Sequence, residues 1–190
     1  RWFLINTLDE NSFKLIKNKF EYKAGTVILW ENLDRMLDLT DPKKQNFTKL
    51  QEKTINHLQL VFHRFLDKDH PKKVNISLNG KKLKPFDPFL ESEKATQTSP
   101  PITINDKIKV KGFVLPHVDK FENNDKYEAA GGPKGWNEQQ GFYVYREDRL
   151  IVGGSWLNLG TGHSEWKKDI HFKLARIKID LDNSLDEEWK

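Results

Sequence analysis

The chain has 190 residues, of which 32 are Lys or Arg and 28 are Asp or Glu, giving a formal net charge of +4. It contains no Cys, which excludes a disulfide framework, a thiol nucleophile and a Cys-based zinc site. No apolar run approaches the ~20 residues of a membrane span, no secretory leader is visible, and the mild, mixed charge is unlike that of a dedicated nucleic-acid binder.

These bounds lead to the expectation of a cytoplasmic protein without membrane contact. The first residue is Arg1 and the only Met is Met36. Residues 1–190 are therefore expected to be one domain, an internal piece of a longer protein.

Residues 1–7 (RWFLINT) read as a strand. Residues 11–22 alternate loosely, with Phe13 and Leu15 followed by Phe20 and Tyr22, until Ala24-Gly25. Residues 26–30 (TVILW) have the β-branched and aromatic content of a short buried strand. Residues 43–66 give the clearest helix. Phe47, Leu50, Thr54, Ile55, Leu58, Val61, Phe62, Phe65 and Leu66 recur mostly at three- and four-residue steps, as an apolar stripe does. His57 and His63 lie six apart, so they do not share a face as a ligand pair would, and both are expected at the rim or in solvent.

Residues 74–78 (VNISL) alternate as a strand, Asn79-Gly80 is the strongest short hairpin signal, and residues 81–83 form the return. Residues 85–106 read as a long connection with the apolar insert Phe86, Phe89 and Leu90. Residues 107–115 (KIKVKGFVL) alternate, with Ile108 and Val110 on one face, Lys109 and Lys111 on the other, and Gly112 marking a bulge.

Residues 116–140 read as a second long loop. Its glycine-rich end carries Lys134, Gln139 and Gln140, placed to meet a ligand or a partner domain. The aromatic strand that follows is expected to turn Phe142 and Val144 to the core and Tyr143 and Tyr145 outward. A tight turn at Glu147-Asp148 leads into a second strand, and residues 171–181 (HFKLARIKIDL) read as a final core strand. His163 and His171, near Glu165 and Asp169, match no ligand spacing, so no metal site is expected.

The order of these motifs resembles that of a known family. Gly25-Thr26-Val27-Ile28, a short Leu-Asp-Arg segment, a long amphipathic helix and Ile76-Ser77-Leu78-Asn79-Gly80-Lys81 resemble the second domain of the GHKL ATPases, the superfamily of gyrase B, the large heat-shock chaperone and MutL. The run GWNEQQGFYVYREDRLIVGGSW, followed by LARIKIDLDNSLDEEW, is similar to a bacterial group of GHKL-ATPase-containing proteins. The resemblance covers most of the chain outside 85–106 and 116–130.

The resemblance implies a transducer domain with an α+β fold. Its mixed β-sheet carries helices on one side, as in the second domain of a small-subunit ribosomal protein, and includes a left-handed βαβ crossover against the usual right-handed rule. It implies Mg-ATP as cofactor of the whole protein, held by a preceding domain, with no cofactor in this chain. It also implies that upstream domain and a second copy of the protein as partners. In the family the transducer gives one cation to the γ-phosphate, where it offsets charge developing in phosphoryl transfer. The corresponding Lys lies near or beyond Lys190, and Lys134 is a second candidate. Gln139 and Gln140 are candidate nucleotide or interdomain contacts beside it. The alternative reading is a nucleic-acid-binding module, with Lys81, Lys82, Lys109 and Lys111 as a basic face and Tyr143 and Tyr145 as a stacking platform on DNA.

Overall fold

A computed structural model describes residues 9–17, 25–30, 47–160 and 165–185. The chain divides into two compact units, Arg1–Phe47 and Thr48–Lys190. In the first, α1 (Glu10–Lys17) replaces the first part of the alternation expected over 11–22, and residues 18–22 lie outside the described residues. Its start is fixed by Asp9, whose Oδ1 accepts the N–H groups of Asn11 at 2.9 Å and Ser12 at 3.0 Å. An N-cap carboxylate satisfies helix donors that would otherwise be orphaned, and this outweighs a loose strand pattern. Residues 26–30 form no strand, contrary to expectation, and Ile28 and Trp30 are exposed. Strand propensity is realised only against a neighbouring strand, and none pairs with this tract among the described residues. The expected strand at 1–7 lies outside the described residues.

The second unit opens with the expected long helix, in two pieces. α2 (Phe47–Val61) and α3 (His63–Leu66) are separated by Phe62, at φ −106° and ψ 17°. The inward row is Leu60, His63 and Leu66, while Leu50 stays exposed. β1 (Ser77–Leu78) and β2 (Lys81–Lys82) form the expected hairpin. Asn79 at φ 50° and Gly80 at φ 76° supply the two left-handed positions of a tight two-residue turn.

A six-stranded sheet follows. It comprises β3 (Gln97–Thr98), β4 (Ile102–Ile104), β5 (Ile108–Val114), β6 (Gly141–Arg146), β7 (Arg149–Ser155) and β8 (Ala175–Leu181). The order is β3-β5-β8-β6-β7, with β4 also on β5. β6 and β8 run parallel and every other pair is antiparallel, so the chain is α+β with a mixed sheet. Among the described residues no helix joins two parallel strands, since β7 separates β6 from β8.

The 85–106 connection therefore contains two strands on the free side of β5. Between them, Ser99 donates its N–H to Gly112 O at 2.9 Å and accepts the Gly112 N–H on Oγ at 2.9 Å. Pro100 and Pro101 cannot donate to a ladder, so pairing breaks there. Gly112 is not a bulge: β5 keeps an unshifted register against β8, with Gly112 opposite Ile177. The 116–140 stretch also carries structure: a 3-10 turn at Val118–Lys120, α4 (Asn124–Ala130) capped by Asn123, and α5 (Gly135–Glu138).

The strand registers give the sheet two chemically different faces. Tyr143, Tyr145, Lys178, Asp180 and Phe113 share one face; Phe142, Val144, Ile177, Ile179, Leu181, Ile108 and Val110 share the other. The core sits on the first, where Tyr143, Tyr145, Phe113, Phe89 and Leu150 meet Leu60 of α2, Tyr127 of α4 and Trp136 of α5. The expected orientation of the aromatic strand is therefore inverted. Tyr143 and Tyr145 are fully buried, and Phe142 and Val144 line the far face.

Candidate functional site

The glycine-rich loop before β6 is packed inward. A Cβ on Gly132 would meet Gln139 Nε2 at 2.4 Å and the Phe86 ring at 2.6 Å. Gln139 is buried and accepts the Tyr143 hydroxyl at 2.8 Å on its backbone oxygen and at 2.9 Å on Oε1. Gln140 is fully buried and ties three segments together. Its Nε2 donates to Asn137 O at 2.8 Å and Asp169 O at 3.0 Å, while Oε1 accepts from Trp156 Nε1 and the Asp169 N–H, each at 3.0 Å. A primary amide carries donors and acceptors together and so satisfies irregular buried backbone. Both glutamines are internal ties of this fold, and of the three loop candidates Lys134, just before α5, is the exposed one.

A polar seam lies where α3 meets the sheet. Arg64 Nη1 donates to Asp148 Oδ1 at 3.1 Å and also to Asp180 Oδ1. Its guanidinium carbon stands 3.6 Å from the Tyr145 ring centroid, a cation–π geometry. His70 Nε2 and Asp148 Oδ2 are 3.2 Å apart, and His63 Nε2 shares a 2.9 Å hydrogen bond with the Tyr145 hydroxyl. Burial, with the neighbouring cations Arg64 and Lys178, pulls the His63 pKa down to about 3, so the imidazole is neutral. Burial likewise pushes the Tyr145 phenol up, and it stays protonated. At Asp148 burial works upward, but the hydrogen bonds from His70 and Arg64 outweigh it and hold the carboxyl low. An open cleft of about 490 Å³ lies beside the seam, lined by His63, Arg64, Asp67, His70, Asp87 and Phe89.

Arg64 is paired with both Asp148 and Asp180, and His63 and Tyr145 are both held neutral, so these groups suit mechanical coupling of α3 to the β6–β7 turn. His63 is not the rim residue expected. It stands three residues from both Leu60 and Leu66, so the inward row runs through it.

The candidate nucleic-acid residues are dispersed. Lys81 and Lys82 are exposed on the separate β1–β2 hairpin. Lys109 and Lys111 lie on β5, where Lys111 Nζ is 5.0 Å from the Phe113 ring centroid. Tyr143 and Tyr145 offer no stacking platform, because both rings are enclosed by Phe89, His63 and the helices. Lys190 and His163 lie outside the described residues. Among the described residues no group of three or more His, Asp or Glu converges to hold a metal ion, and no helix is long and apolar enough to cross a membrane. No protein-family model, curated protein or solved structure matches the chain.

Proposed function

We propose that the chain is the transducer of a GHKL-type ATPase, passing the nucleotide state of an upstream Mg-ATP-binding domain to a conformational change or to dimerisation. The observation that carries this reading is where the resembling motifs fall in the sheet. The Asn79-Gly80 turn closes a hairpin after the long helix. The tract 140–149 is strand β6 with its turn, and the tract 174–181 is the strand that pairs with it in parallel. The last two tracts, far apart in sequence, thus meet as neighbours in one mixed sheet, while the Asn79-Gly80 hairpin forms a two-stranded sheet of its own. The finer ribosomal-protein-like topology, with its left-handed βαβ crossover, belongs to this proposal.

Lys134 is the described residue best suited to reach a neighbouring phosphate. It is exposed between Gly132 and Gly135, while Gln139 and Gln140 anchor the C-terminal end of its loop in the core. A cation carried on an anchored loop keeps its position when an adjoining domain closes on it. In the full-length protein, Lys134→Ala is expected to slow ATP hydrolysis about 100-fold or more while nucleotide still binds. Steady-state hydrolysis and nucleotide-binding assays on the same preparation check it. An unchanged rate moves the role to the next Lys downstream, and an upstream reading frame without a nucleotide pocket removes the proposal altogether.

A further inference from the structure

We draw no further inference here: the strongest candidate, the cleft of about 710 Å³ lined by His57, Phe62 and Phe65 of the helical stretch and by Arg146 and Arg149 at the β6–β7 turn, carries nothing because Arg149 already lies over the Phe62 ring and nothing in the structure shows what covers the cleft.

Discussion

His63 shows what one buried polar side chain contributes. Its imidazole is enclosed against Tyr145, and each is the other's buried hydrogen-bond partner. His63→Ala would leave the Tyr145 hydroxyl unpaired and open a cavity, and is expected to cost ~2–4 kcal/mol in urea unfolding. The pH dependence has a definite sign. Burial, with Arg64 and Lys178 nearby, pulls the folded pKa from 6.5 to about 3. The unfolded chain therefore binds a proton that the native chain does not, and stability falls as pH drops from 6.5 toward 3. The slope contributed by this residue is at most ~1.4 kcal/mol per pH unit. Asp148, held low, loses its contribution only below the usual carboxylate range, so the upper part of the window belongs to His63. Unfolding free energies of wild type and His63→Gln between pH 7 and 4.5 separate the two, since the variant's curve is expected to flatten. The sequence held a signal for this burial, because Leu60, His63 and Leu66 repeat every three residues. The partner 82 residues away, Tyr145, left no local trace.

At the scale of elements, legibility followed the length and locality of each pattern. Asn79-Gly80 and Glu147-Asp148 were readable as turns because each fixes its own backbone: Glu147 and Asp148 adopt φ 47° and 64°. β5 and β8 were readable from alternation. β3 and β4 were not, because two- and three-residue strands are defined by the partner they pair with, here β5. In β6 both parities are buried, so the sequence carried no sign of which face met the helices. The β6–β7 turn also has a second task, since Asp148 joins Asp180 in holding Arg64 of α3. Asp180 is the more enclosed partner, at 34% side-chain exposure against 47% for Asp148. A double-mutant cycle of Arg64→Ala with Asp180→Asn is expected to give a coupling of ~1 kcal/mol, and the cycle with Asp148→Asn a smaller one, because water screens the more exposed pair. Equal couplings in the two cycles would contradict this ranking of the clamp.

The whole sheet depends on its last strand. β8 lies between β5 and β6, antiparallel to one and parallel to the other, and β5 and β6 do not pair directly. Without it the sheet falls into two fragments: β5 with the short β3 and β4, and the β6–β7 hairpin. A two-stranded hairpin is marginal on its own in water. β8 also brings Arg176, Lys178 and Asp180 to the core side and Ile177, Ile179 and Leu181 to the far side, so its absence strips both layers at once. Truncation after Leu174 is therefore expected to abolish the cooperative urea transition followed by tryptophan fluorescence, not merely to lower its midpoint. Intact chain gives the matching observation by hydrogen exchange: amides of β8 and the strand edges facing it should be the slowest, and those of the edge strands β3 and β7 faster.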